Sequence, residues 1–237
     1  GLRIALLANN HVMDYGAECL SETISYLKEA DILYLGAGLH INDAFRPLTL
    51  NIHGVRITII NFTTVFTLQS LASIDRPGIA GMKLRTEIHA DPYEIFEEPG
   101  APYIVDAKPF QEDLETITDL VEKSSRSSDL TITYIHWGVG ALPYSRIILK
   151  YMRELSSVII DRGSSIIIGS HPHILLPSEK INKGIAIYSL GNFLFTHKPK
   201  DLLFSNVGGM ASIWFSKNKE EFSITLLPLC LNSSGVP

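Results

Sequence analysis

Three apolar runs in this chain end alike: "LRIALLANNH" (2–11), "LTITYIHWG" (130–138) and "SSIIIGSHPH" (164–173) each pass from aliphatic residues straight into Asn, His or Gly. Continuous apolar runs of this length, closed by turn residues, predict strands buried on both faces, as in a parallel sheet. Stretches of helical spacing alternate with them. Leu20, Ile24 and Leu27 lie on one face of 17–30; Phe110, Leu114, Ile117 and Leu120/Val121 form a stripe over 109–124. Ile148, Met152, Leu155 and Ile159 do the same over 146–162. Strand–helix–strand order with right-handed crossovers restricts the chain to an α/β architecture. "DILYLGAG" (31–38) closes the first such unit, and two strand-like runs around His53–Gly54 predict a hairpin over 47–62. Pro and Gly interrupt 65–108 too often for a long helix, so loops and short elements are expected there. Apolar runs at 184–195, 210–215 and 222–229 predict a closing series of strands.

In open α/β sheets the loops beyond the carboxyl ends of strands converge, and ligands bind there. The three endings are therefore expected to bring Asn10, His11, His136, His171 and His173 to one edge of one sheet. These include half of the chain's eight histidines. Pro172 fixes its own φ and disfavours helical backbone at His171, which predicts an extended His171 and two reproducibly aimed imidazoles. Neutral imidazole is a good ligand for divalent transition metals, and Asn10 adds a neutral amide oxygen. His11, left unligated, is a candidate general acid. Asp14, one helical turn on, is placed to accept the His11 N–H and fix its tautomer. The alternative for the same stretch is that Asp14 caps a helix over 16–29 and the asparagines form a turn.

The 237 residues suit one domain, 1–237, with length enough for a sizeable core. Net charge is −5 and no Lys/Arg-rich run appears, which argues against a nucleic-acid partner. An anionic ligand would need a local source of positive charge. Cys19 and Cys230 are far apart and form no CxxC motif, so neither a redox pair nor a zinc ribbon is indicated. No apolar stretch approaches the ~18 residues of a membrane-spanning helix, and no signal segment opens the chain. GxSxG is absent, and the serine of "YSLGN" lies in an apolar strand, unlike a nucleophile elbow. Neither "GAG" nor "GVG" completes a dinucleotide-binding GxGxxG.

Taken in order, "NNHVMDYG", "PGIA", "HWG", "IIIGSHPH" and "YSLGNF" resemble the CapA/PgsA poly-γ-glutamate capsule biosynthesis family, over residues 4 to about 196. That family is similar in fold to the calcineurin-like metallophosphoesterases. The resemblance implies a metallophosphoesterase-like two-sheet α/β sandwich flanked by helices. It implies Asn10, His136, His171 and His173 as metal ligands and His11, with Asp14, as the catalytic pair. Asn9, Trp137, Ser189 and Asn192 would bind substrate or line the site. The implied cofactor is a pair of divalent metal ions (Mn, Fe, Zn or Mg) that clamp a phosphate and activate water. The implied partners are a phosphorylated small molecule or an anionic cell-envelope polymer, with membrane-bound biosynthetic proteins nearby. The implied location is the cell envelope, outside the cytoplasm.

Two departures bear on this. The family pattern starts with a strand ending Gly-Asp and an Asn-Leu-Glu segment, and neither occurs in this sequence; both are expected upstream of Gly1. Asp14 and Asp43 are the candidates to replace those carboxylates, and a degenerate site holding one metal or none is the third reading. The acidic residue that follows "HWG" in the family is replaced here by Gly140 and Ala141. Two functions compete: a metal-dependent phosphatase or phosphodiesterase, and a non-catalytic accessory subunit that binds or exports an anionic polymer.

Overall fold

In a computed structural model, which describes residues 1–89, 93–98, 100, 103–140, 144–196, 206–216, 218 and 221–237, the apolar runs do become strands. The front of the chain forms β1 (Ile4–Leu6), α1 (Gly16–Glu29), β2 (Leu33–Leu35), β3 (Ala37–Gly38), the single turn α2 (Ile41–Ala44), β4 (Leu48–Ile52) and β5 (Val55–Thr63). The middle holds β6 (Gly78–Ile79), β7 (Leu84–His89), a short α3 (Glu94–Glu97) and β8 (Ile104–Pro109). Then follow α4 (Gln111–Arg126), β9 (Leu130–His136), α5 (Lys150–Asp161), β10 (Ile166–Ser170), β11 (Leu175–Ile181), β12 (Gly184–Leu190), β13 (Val207–Ser216) and β14 (Glu221–Cys230).

The main sheet has six strands in the order β11-β12-β10-β9-β5-β4. Its four central strands run parallel, and β4 and β11 close the two edges antiparallel. The predicted hairpin is β4–β5, with His53 and Gly54 both at positive φ in its turn. β1 and β2 pair in parallel around α1, as the first unit required. They form a separate two-stranded sheet, however, and this corrects the expectation of three strand ends on one sheet. The hairpin is the reason: β4 occupies the edge of β5 that a further strand would need.

One apolar core, including Phe62, Ile117, Val121, Ile135, Met152, Leu155, Ile159 and Ile167, lies between the main sheet and α4/α5. A second, built from Leu7, Leu20, Ile24, Ala37 and Ile79, joins α1 to the small sheets. Strand alternation explains why the main sheet can serve both layers. Ile135 of β9 faces α4/α5, while its neighbours Tyr134 and His136 point to the other side. On that other side Asn61 ties the layers together: its Oδ1 accepts from the Ala8 backbone N–H (2.9 Å) and its Nδ2 donates to the Tyr134 carbonyl (3.2 Å). The result is a helix–sheet–sheet–helix sandwich.

Local boundaries differ modestly from expectation. α4 begins at Gln111 because Phe110 adopts extended backbone as its N-cap and stands half exposed, outside the buried stripe. α5 begins at Lys150, after an extended Leu149. No helix among the described residues is long and apolar enough to cross a membrane.

Candidate active site

The two asparagines after β1 divide their work. Asn9 makes the turn: its Oδ1 accepts from the backbone N–H groups of His11 (2.9 Å) and Val12 (3.0 Å), and its Nδ2 donates to the Leu7 carbonyl (3.3 Å). With its amide spent on its own loop, Asn9 shapes the site. Asn10 is turned outward to the histidines. Its Oδ1 lies 2.9 Å from His136 Nε2 and its Nδ2 lies 3.2 Å from His11 Nε2. Asp14 Oδ2 sits 2.9 Å from His11 Nδ1. α1 has Tyr15 as its N-cap, with no side-chain cap bond, so Asp14 orients His11 and does not cap the helix.

Read as hydrogen bonds, these contacts assign the protons. A carbonyl oxygen only accepts, so His136 carries its proton on Nε2. The Asn10 amide nitrogen only donates, so His11 Nε2 accepts and His11 Nδ1–H points at Asp14. His136 Nδ1 then accepts from the hydroxyl of Ser170, 2.9 Å away at the end of β10. Ser170 is paired in register with His136 across the parallel β9–β10 ladder. Tyr134, two residues before His136 on β9, has its phenol pushed up in pKa by burial.

Trp137 and Ser189 do not face the ligand. Trp137 is fully buried among core residues, donates from Nε1 to the Tyr188 carbonyl (2.9 Å) and stacks on the Tyr188 ring at 5.8 Å. Following directly on His136, it takes the opposite side of the sheet by alternation. Ser189 is also buried, and its Oγ accepts from the Gly191 N–H (3.2 Å). Both support the site from within the core.

"SHPH" departs from the extended geometry expected before proline. His171 has φ +98° and His173 φ +60°, both in the left-handed region that non-glycine residues rarely adopt. Such strain, of order 1–3 kcal/mol per residue, persists where the surrounding structure imposes it, and it clusters at functional sites. Its effect here is to gather imidazoles in tilted contact: ring centroids are 4.8 Å apart for His136–His171 and 6.1 Å for His171–His173. Asn192 clamps His173 at both ends, accepting from Nδ1–H at 2.8 Å and donating to the His173 carbonyl at 3.3 Å. Phe195 packs on the same ring at 4.9 Å. His171 Nδ1 is buried with no hydrogen-bond partner.

Burial, and then the neighbouring histidines, push the His136 pKa down to about 3 and that of His171 down to about 4. Both are therefore neutral near pH 7, the state in which imidazole ligates. The residues suit a divalent ion in kind, imidazole nitrogens and an amide oxygen being ligand types. The orphaned His171 Nδ1 is a second sign, since a buried nitrogen without a partner costs about 1–3 kcal/mol. Convergence is what the arrangement lacks. Among the described residues, no three His, Cys, Asp or Glu side chains converge at ligating distances. Asp43 pairs with His40 (3.2 Å) and lines a cavity of about 500 Å³ with Lys28, Asp31, Tyr34 and Arg46, so nothing joins it to the histidines. Gly140 stands where a longer side chain would meet His171, its ideal Cβ position 3.4 Å from Nε2. Ala141 lies outside the described residues.

Ser170 was absent from the expected site, although the sequence held a signal for it: in parallel strands of matching length, the residue before "HPH" falls level with the histidine of "HWG".

Comparison with known proteins agrees with this picture at the level of family. Residues 1–197 match the family model described as bacterial capsule synthesis protein PGA_cap. The chain is 31% identical over 195 residues to the capsule biosynthesis protein CapA of Bacillus anthracis, covering 82% of this chain and 40% of that protein. It is 31% identical over 189 residues to the PGA biosynthesis protein CapA of Bacillus subtilis (strain 168), covering 79% and 41%. The chain thus spans about two fifths of the length of these relatives. A hypothetical protein from Thermus thermophilus superposes with TM-score 0.41 at 10% identity, over 78% of this chain and 61% of that one.

Proposed function

Because this chain belongs to the bacterial capsule synthesis protein family PGA_cap, we propose that it acts in the synthesis of an anionic capsule polymer of the poly-γ-glutamate type, as a metal-dependent phosphoesterase on a phosphorylated small molecule or cell-envelope substrate. One observation carries this reading: the unbroken hydrogen-bonded chain Asp14–His11–Asn10–His136, which joins a candidate acid to a candidate ligand set. Asn10 Oδ1 and nitrogens of His136, His171 and His173 would hold the divalent ions. When bound, such ions hold phosphoryl oxygens and lower the pKa of water.

The chain's own residues do the rest. Asn10 sets the distance between the ligands and His11. His11 has a side chain 71% exposed, so a substrate reaches it from solvent. Once protonated on Nε2 it donates to the departing oxygen, and the Asp14 carboxylate on its other nitrogen balances the charge. Asn192 holds the His173 ring, the half-buried Ser170 holds the His136 ring, and Asn9 holds the loop. The setting is the cell envelope, beside membrane-bound biosynthetic partners.

A second reading is favoured by the absence, among the described residues, of any three His, Cys, Asp or Glu side chains grouped to hold a metal ion. In that reading the same cleft binds the anionic polymer without cleaving it, as an accessory subunit. Elemental analysis of the purified chain, with hydrolysis of an aryl phosphate in added Mn²⁺, separates the two. The hydrolase reading expects bound metal and turnover, with turnover lost by about 10²-fold or more in His11→Ala. Polymer binding without turnover on any divalent ion would replace it by the accessory reading.

A further inference from the structure

β7 and β8 form a two-stranded antiparallel arm whose two faces differ. Register pairs Arg85 with Lys108 and Glu87 with Asp106, and alternation puts these side chains, with His89, on one face. That face is charged and ion-paired. Glu87 pairs with Arg85 at 2.6 Å and with Lys108 at 3.2 Å, and Asp106 lies 3.8 Å from His89 and 3.6 Å from Lys150 of α5. The other face carries Leu84, Thr86, Ile88, Val105 and Ala107. Leu84 and Ala107 pack on the main core, but the ladder runs on past them into solvent. Ile88 is 68% exposed, and Val105, directly opposite it, is 59% exposed. Tyr103, two residues before Val105, is 64% exposed, and Phe96 of α3 is 83% exposed.

Phe96 and Tyr103 together present on the order of 300 Å². Ile88 and Val105 bring the apolar area to roughly 500 Å², a size that marks interaction sites but falls short of the ~800 Å² per partner of a standard interface between globular proteins. A two-stranded ribbon is about 10 Å wide, close to the diameter of one helix. Charge then decides the occupant. Between Arg85 and Lys108 the sequence holds six Asp or Glu and no Lys or Arg. Two of them, Glu97 and Glu98, stand exposed directly after Phe96. An anionic polymer, an anionic membrane surface and a second copy of this chain, with its net charge of −5, are all repelled by such a tip. We propose that the β7–β8 arm docks a partner protein through one amphipathic helix whose apolar stripe is flanked by Lys or Arg. Ile88, Val105, Phe96 and Tyr103 cover the stripe, while the acidic residues of the tip meet the flanking cations and steer their approach. Docking requires neither a metal nor turnover at the histidines.

The test uses the whole chain and a fluorescein-labelled synthetic peptide of about five helical turns, with Leu along one face and Lys along the other, followed by fluorescence anisotropy. The wild type should bind it saturably, with a Kd that rises as salt screens the charges. Ile88→Ser combined with Phe96→Ser, which leaves the charge alone, should raise the Kd by about tenfold or more. Glu97→Lys combined with Glu98→Lys should raise it by as much and remove most of the salt dependence. All four positions are exposed, and melting temperatures confirm that the variants fold. A peptide of the same composition, with Leu and Lys scrambled off the helical period, should bind about tenfold more weakly or worse. The proposal fails if the wild type does not bind the amphipathic peptide, if it binds the scrambled one equally well, or if the Ile88 and Phe96 double variant binds like the wild type. Flotation of the wild type with phosphatidylcholine vesicles, with or without phosphatidylglycerol, or its dimerisation in sedimentation, either one abolished by the same double variant, would overturn it in favour of a lipid surface or a second copy.

Discussion

At the scale of single residues, what separates a ligand from a scaffold is which hydrogen bonds a side chain has left to make. Asn9 and Asn10 are chemically identical neighbours, yet one is consumed by its own turn and the other reaches His136 and His11. Exchanging Asn9 for Ala should therefore cost stability, about 1 kcal/mol for a lost turn cap, and Asn10→Ala should cost metal affinity with little change in melting temperature. Denaturant unfolding alongside metal titration of the two variants checks this. Gly140 offers the converse experiment, because its missing side chain borders His171 and its φ lies outside the left-handed region. Gly140→Glu would bring a carboxylate to a set of neutral donors. Since affinity for hard divalent ions rises with ligand charge, binding of Mn²⁺ should tighten by about tenfold, measured by calorimetry.

At the scale of elements, the site depends on how strands meet. β9 and β10 run in register, which sets Ser170 beside His136, and Gly169 leaves the space that the Trp137 indole fills. A Cβ at Gly169 would fall 2.1 Å from the Tyr188 carbonyl oxygen and 2.4 Å from Trp137 Nε1. Gly169→Ala should therefore destabilise by about 1–3 kcal/mol through overpacking, read from the denaturant midpoint. The β13–β14 hairpin lies past the end of the family match, yet it reaches the histidines indirectly. It bridges to the loop after β12 through Gly191 and Gly208, and a Cβ on Gly208 would fall 1.7 Å from the Asn192 carbonyl oxygen. Gly208→Ala should shift Asn192 and with it His173, whose ¹⁵N resonances should move while those of His11 do not.

At the scale of the molecule, two layers are held together across a polar seam, and the histidines lie in it. Burial there costs stability in acid. For His136 and His171 the folded-state pKa lies below the ordinary value of 6.5, at about 3 and about 4. Above pH 6.5 neither state binds the proton and stability is unaffected. As pH falls below 6.5 the unfolded chain takes up protons that the folded chain refuses, so stability declines by up to about 1.4 kcal/mol per pH unit for each group. The decline ends as pH passes about 4 for His171 and about 3 for His136. Chelated protein unfolded at a series of pH values should show this slope between pH 6 and 4, and replacement of both histidines by Gln should flatten it.

Much of this was legible from residues alone. Apolar runs and helical stripes are local, so the parallel strands, α1, α4 and α5, and the β4–β5 hairpin followed from periodicity and turn chemistry, and "NNH", "HWG" and "SHPH" carried the family. Other matters depended on groups distant in the chain. The small β1–β2 sheet arose because β4 takes the edge of β5. Strained backbone at His171 and His173 arose against the local preference before proline. Trp137 and Ser189 were drawn into the core. The sequence by itself determined which residue types stand at each strand end, because that is a matter of covalent order. Only the tertiary structure decided which of them face one another, because hydrogen bonds across strands 34 and 126 residues apart, such as His136 to Ser170 and to Asn10, exist only once register and layer packing are set.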